Sequence, residues 1–392
     1  MKLLCNVKRI IVPGAAAVVL ALQWRAGWFL GSAVTLAAFC FLGIFGPIAL
    51  GSEKRRKHEK ARTTETVLAA RMAEFSSEKP ADLVEGMMVE GRYALLLRPQ
   101  LVRNLTVEQR ERARAELDKS MALVPEGGVL MAPGVTHPNE DGFIDCVEMV
   151  EPLYLDRYQV TNRQFYRFVL AGGYEQFALW EEDVLPALLE FVDETDQLAP
   201  RFWREGQYPI ELADHPVVGI SWYEAEAYAR WLGKRLPTDP EWLKAASWPV
   251  ASSNEFPVQR KYPWGDTMDR ARANVCDTSD HAGTSSITDF TDGVTVGGVY
   301  QMIGNVWEWT TSDFGKWDAD RQWLESNDPP KSLRGGAFDT YLESQASNHF
   351  QSGDRRLSRK HNIGIRCALS LSDLQAVQGG HQDELCEELV HE

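Results

Sequence analysis

The chain has 392 residues, 44% of them hydrophobic and 25% charged, with a formal net charge of −15. That is enough apolar material for one large domain with appendages. The acidic balance argues against a nucleic-acid partner, which would need a clustered basic face. The six cysteines (Cys5, Cys40, Cys146, Cys276, Cys367 and Cys386) form no CxxC pair and show no zinc spacing. They are expected as free, mostly buried thiols, with a disulfide between two of the last four left open.

The first predicted element is a membrane anchor over residues 1–52. No charge falls between Ala26 and Ser52, and this run is long enough to cross a bilayer as a helix. The shorter apolar run from Ile10 to Trp24 reads as a second span, giving a hairpin, or as the core of a signal peptide. Lys54, Arg55, Arg56, Lys57, Lys60 and Arg62 follow the long run directly. Positive flanks stay inside, so the rest of the chain is expected to be membrane-anchored and to face the cytoplasm.

Residues 53–123 read as a polar juxtamembrane helical linker. Thr106 and Gln109 have capping-box spacing, and Leu105, Ala113, Leu117 and Leu123 recur at roughly helical period. The expectation is a linker helix docking on the main domain.

From about Val124 to residue 370 the texture changes to Gly, Pro, Trp and short apolar runs. Three helix starts are marked by Thr161 with Gln164, Ser221 with Glu224, and Thr238 with Glu241. Phe165, Phe168 and Val169 make one buried stripe, stopped by Gly172 and Gly173. Ala225, Tyr228, Ala229 and Leu232 make another, with Gly233 at the C-cap. The remainder reads as loops and short strands, an α+β domain with much irregular structure. Thirteen Trp fit a core of that kind. No GxGxxG, GxxxxGK or HExxH occurs, so no nucleotide cofactor is expected.

Six segments occur in order here: "LYLDRYQVTNRQFYRFV", "HPVVGISWYEAEAYARWLGKRLPTDPEWLKAA", "YPWGD", "GVYQMIGNVWEWT", "LRGGAF" and "NIGIRCAL". Together they resemble the sulfatase-modifying-factor domain of the formylglycine-generating enzymes. The resemblance implies a fold related to the C-type lectins. In active members it implies an oxidation, by dioxygen, of a sulfatase cysteine to formylglycine on a copper(I) ion held by two thiolates. Copper(I) is soft and prefers such ligands. Aligned on Gly335-Gly336, the two cysteine positions are Thr340 and Gln345 here, and the serine that often follows the glycines is Ala337. Copper is therefore not expected, and no catalytic residue is assigned. Relocation of the site to Cys276 or Cys367 is a weaker alternative.

A related branch, the ergothioneine-type sulfoxide synthases, uses iron held by histidines of a separate helical domain. No two of the eight histidines here lie three or four residues apart. The resemblance also implies two calcium sites. The second maps onto Gln301, the carbonyls of Gly304 and Val306, and Glu308. The first starts at Asn274 and the Val275 carbonyl, with Asp277 and Asp280 as further candidates. Calcium wants several oxygens, mostly charged ones, and the alternative is that Gln301 and Glu308 satisfy loop backbone without metal. Trp307, Arg334, Ala337, Asp339 and Tyr341 are the candidate walls of a groove for a protein or peptide ligand; for Trp307, core packing is the competing reading. Residues 371–392 form an acidic C-terminal tail.

Three functions compete: a membrane-anchored binding or accessory module that has lost the oxidase chemistry (a pseudoenzyme), an active modifying oxidoreductase with an altered site, and a structural subunit of a membrane complex.

Overall fold

Four helices begin as their capping boxes require. In the computed structural model, which describes residues 80–131, 147–248, 259–276, 283–315 and 328–375, Thr106, Thr161, Ser221 and Thr238 each accept a hydrogen bond from the backbone N–H three residues on, at 3.2–3.3 Å. Gln109, Gln164, Glu224 and Glu241 each accept from the N-cap N–H in return, at 2.7–2.9 Å. Two orphan donors are satisfied at every start.

In chain order the elements are α1 (Pro80–Glu90), α2 (Tyr93–Leu96), α3 (Pro99–Val102), α4 (Val107–Ser120), β1 (Met121–Val124), β2 (Gly127–Leu130), β3 (Val147–Val150), β4 (Leu153–Asp156), α5 (Asn162–Leu170), α6 (Trp222–Trp231), α7 (Asp239–Ser247), β5 (Trp307–Asp313), β6 (Lys331–Arg334), β7 (Ser352–Asp354), β8 (Ile363–Gly364), β9 (Ala368–Ser370) and α8 (Ser372–Gln375). Short 3₁₀ turns and long irregular connections join them. Strands β1, β4 and β9 form an antiparallel sheet, β2 and β3 pair antiparallel, and β7, β6, β5 and β8 form a third sheet in which β5 and β8 run parallel. The fold is thus mixed helix and sheet, as expected.

Two packed clusters make the core of the main domain. One is strongly aromatic and gathers Phe165, Phe168, Trp203, Tyr228 and Trp231 from α5, α6 and the loops between them. The rings meet stacked and edge-to-face, the geometries their quadrupoles favour. The other packs Trp242 of α7 against Val299, Met302 and Ile303, beneath the candidate site.

The boundary expected at residue 124 is corrected. The helices from Pro80 onward belong to the folded unit, because Ala113 and Leu117 bury against Leu369 and Leu374 in one cluster with Ala94 and Met121. Strand β1, which straddles position 124, pairs with β4. The guanidinium of Arg92 donates to the Trp231 carbonyl at 3.0 Å and that of Arg98 to the Gly233 carbonyl at 2.8 Å, satisfying acceptors at the end of α6. Gly233 sits at φ +77°, and a Cβ there would lie 2.7 Å from Leu95 Cα, so this approach needs glycine. Leu123 is a further correction. It lies on β1, not on the helix, and is 50% exposed. At the other end Leu374 is buried, so the domain runs past residue 370 and into the segment assigned to the tail.

The apolar runs of residues 10–24 and 26–52 lie outside the described residues. Among the described residues no helix is long and apolar enough to cross a membrane.

Candidate functional site

The site is built on the β5–β6 hairpin and the loop that leaves it. Gly335 and Gly336 have φ of +96° and +77°. A Cβ on Gly335 would lie 2.7 Å from the Met302 carbonyl oxygen. Gly304 N–H donates to the Gly335 carbonyl at 2.9 Å, and Phe338 N–H to the Asn305 carbonyl at 3.0 Å. The double glycine therefore lets the loop 337–345 lie directly against the segment 302–306.

Thr340 is buried, and its hydroxyl oxygen accepts the Ala337 N–H at 2.8 Å. Its carbonyl accepts from Cys276 N–H at 3.1 Å. The side chain at the first cysteine position thus closes a turn. Gln345, at the second, is half-buried in a turn whose N–H donates to the Leu342 carbonyl at 2.9 Å. Neither is a soft ligand, so the pair does not fit copper(I). Cys367 is fully buried, and burial first and Asp156 second push its thiol well above the ordinary range, which leaves it inert. Cys276 is half-buried beside the Thr340 loop.

Two of the five expected groove residues are corrected. Arg334 lies in the core with its guanidinium on Asp239, and Ala337 is fully buried. Arg334 turns inward because Asp239, fully buried, needs a cation. Asp239 also accepts from Thr310, Ser332 and Gln351 at 2.7, 2.8 and 2.6 Å. The other three do meet the surface. Trp307 is half-buried, 6.0 Å from the Phe350 ring. Asp339 accepts both hydrogen bonds of the Asn362 amide, at 3.1 and 2.9 Å, and lies 3.6 Å from His361 Nε2. Tyr341 is 72% exposed. Three residues that sequence reasoning did not assign to the groove join them: His361, Asn362 and Phe202, whose ring lies 6.5 Å from His361. Only Asn362, which heads the "NIGIRCAL" segment, carried a signal in the sequence.

Of the six calcium candidates, Asn274, Gln301 and Glu308 are joined in one buried polar network through Asn305 and Gln159. The Gln301 amide nitrogen donates to the Ser286 and Asp289 carbonyls, both at 2.9 Å, and its oxygen accepts from Asn305 at 2.7 Å. The Asn274 carbonyl accepts the Asn305 N–H at 2.7 Å, and the Gly304 carbonyl accepts the Val306 N–H at 2.9 Å. Val275 N–H donates to the Ala273 carbonyl at 3.1 Å. Glu308 is buried, and its two oxygens accept from Arg366, from the Trp242 indole at 2.7 Å and from Gln159 at 3.0 Å. The Arg366 guanidinium already supplies the compensating charge. These donors do not fit a calcium ion, which needs several free oxygens with carboxylates among them. Among the described residues no three His, Cys, Asp or Glu side chains cluster to hold a metal. Asp277 and Asp280 lie outside the described residues.

His349 stands beside Arg334 with a buried Nδ1 that finds no hydrogen-bond partner among the described residues. Burial first, and then the Arg334 charge, bring its pKa down to about 4, so the ring is neutral near pH 7.

Residues 106–371 match the model of the sulfatase-modifying factor enzyme 1-like domain. The chain is 30% identical over 300 residues to serine/threonine-protein kinase pkn1 of Chlamydia pneumoniae, covering 73% of this chain and 44% of that one. It is 36% identical to hercynine oxygenase of Mycolicibacterium thermoresistibile, over 42% of this chain and 36% of the relative. It is 32% identical to the formylglycine-generating enzyme of Thermomonospora curvata, over 55% of this chain and 77% of that enzyme. The chain therefore spans less than half the length of the first two relatives. One domain type occurs in proteins with three different names, so membership alone does not set an activity. By the extent of this match, the chain belongs to the sulfatase-modifying factor enzyme 1-like domain family.

Proposed function

We propose that this chain is a membrane-anchored binding or accessory module of its family, facing the cytoplasm, which does not generate formylglycine by the copper route. The observation that carries the reading is the Thr340 hydroxyl accepting the Ala337 N–H at 2.8 Å. A side chain that closes the loop from within cannot also present a soft ligand to dioxygen. The walls beside it remain. Trp307, Phe350, Asp339, Tyr341, Asn362 and His361 offer aromatic faces, a carboxylate and an imidazole to a protein or peptide segment. The uncharged run at 26–52 and the basic residues after it support the anchor and its orientation. The test is mass spectrometry of a Cys-x-Pro-x-Arg peptide incubated with the full chain, copper, reductant and oxygen. An unchanged peptide, beside an active relative as control, is the expected result; conversion to the aldehyde refutes the reading.

One observation favours a second reading, an oxidoreductase with an altered site. The Cys276 N–H donates to the Thr340 carbonyl, which sets a half-buried thiol beside the loop. Aldehyde formation by wild type that disappears in Cys276→Ala would select it.

A further inference from the structure

A feature the loop of Thr340 does not account for lies elsewhere in the domain. A half-open cavity of about 420 Å³ runs between α1, α4 and the main domain. At its wall stands Lys234, whose side chain is 3% exposed. An ammonium carries three N–H donors. One goes to Asp156 Oδ1 at 2.7 Å, and the ring of Tyr93 lies 5.3 Å from the nitrogen. Among the described residues no other oxygen accepts from the Lys234 ammonium. A buried ammonium with one acceptor is under-satisfied, and the cavity is where the remaining donors find another.

A second cation lines the same space. Arg167, on α5, has no carboxylate partner among the described residues. Its charge reaches Tyr228, which also lines the cavity and is itself buried. Asp156 is unavailable to Arg167, because its first oxygen takes Lys234 and its second accepts the Cys367 N–H at 3.1 Å. The other walls include the rings of Tyr93 and Tyr158, the apolar Val160 and Leu232, the carboxylates Glu90 and Glu116, and Arg112, whose guanidinium is taken by Glu85 at 2.7 Å.

We propose that this cavity is a binding site for a small organic monocarboxylate, held between Lys234 and Arg167 with its apolar body against the tyrosines. Lys234 and Arg167 both line this space, and rings form part of its wall, so charged groups and apolar faces are set together as in a small-molecule site. A monoanion fits better than phosphate, because Glu90, Glu116 and Asp156 would repel a second charge. The site does not depend on the oxidase question, since none of its residues lies in the loop of Thr340.

The test is isothermal titration of the full chain in detergent with acetate, benzoate and 3-phenylpropionate, with benzamide and inorganic phosphate as controls. Saturable binding of at least one aromatic carboxylate, tighter than acetate and absent for benzamide and phosphate, is expected. Arg167→Gln weakens it at least tenfold while the thermal midpoint of the free protein stays within a few degrees. A second variant, Tyr93→Phe, keeps the ring and retains binding. Failure of every carboxylate to saturate, phosphate binding as tight as the carboxylates, equal binding of benzamide, or an unchanged affinity in Arg167→Gln would each overturn the assignment.

Discussion

Arg334 and Asp239 form a buried ion pair with Nη2 2.8 Å from Oδ2 and with side chains only 2% and 0% exposed. They come from the end of β6 and the start of α7, 95 residues apart. The pair therefore joins the hairpin that carries the Thr340 loop to the helix beneath it. Glu308 with Arg366, and Glu224 with Arg359, repeat the device elsewhere in the domain.

Breaking this pair on one side should be severe. Arg334→Met leaves Asp239 buried without its cation and should cost about 3–5 kcal/mol. The thermal midpoint falls by many degrees, and urea unfolding shows the loss directly. If Arg334 lined a groove instead, the midpoint would scarcely move.

Thr340→Val keeps the shape of the side chain and removes the acceptor of the Ala337 N–H. The cost should be on the order of 1–3 kcal/mol, the desolvation of an unpaired buried donor. Thr340→Ser, which keeps the oxygen, should recover most of it. Chemical denaturation of the three proteins separates loop closure from mere packing.

Calcium should do little. Because Glu308 is satisfied by Arg366, Trp242 and Gln159, millimolar calcium or a chelator should shift the thermal midpoint by less than a degree or two. Glu308→Gln should cost several kcal/mol with or without calcium, because it strands Arg366. A calcium-dependent gain in wild type that Glu308→Gln abolishes would show that the network opens to take the ion.

Stability should respond to pH from both sides. His349 titrates near 4 in the folded chain and near 6.5 when free, so the unfolded state binds the extra proton and stability falls as pH drops from about 6.5 towards 4. Glu226 behaves oppositely. Burial raises its carboxyl to about 7, with Arg230 opposing and Glu181 adding to the rise, so stability falls as pH climbs from about 4.5 through 7. Each contribution is on the order of 1–3 kcal/mol. His349→Gln should flatten the acid limb and Glu226→Gln the neutral one, read from midpoints between pH 4 and 8.

The helix starts at Thr106, Thr161, Ser221 and Thr238 were legible because a capping box is local. Its donors and acceptors lie three residues apart, so four sequence positions contain the whole interaction. The buried stripe of α6 was legible for the same reason, since its spacing is set by the helix itself. The absence of two cysteines at Thr340 and Gln345 needed only the letters. What tertiary structure decided is where each charge finds its partner. Arg334 read as a groove wall and Glu308 as a calcium ligand, because nothing near either in the chain shows that Asp239 and Arg366 lie against them, 95 and 58 residues away. The docking of a linker helix was expected, but the surface it docks on was likewise hidden. Ala113 and Leu117 make an apolar face, but its cover, Leu369 and Leu374, comes from the far end of the domain. A buried charge is stable only with its counter-charge, and an apolar face only against its complement; both requirements are written in the sequence, and only the fold says which residues meet them.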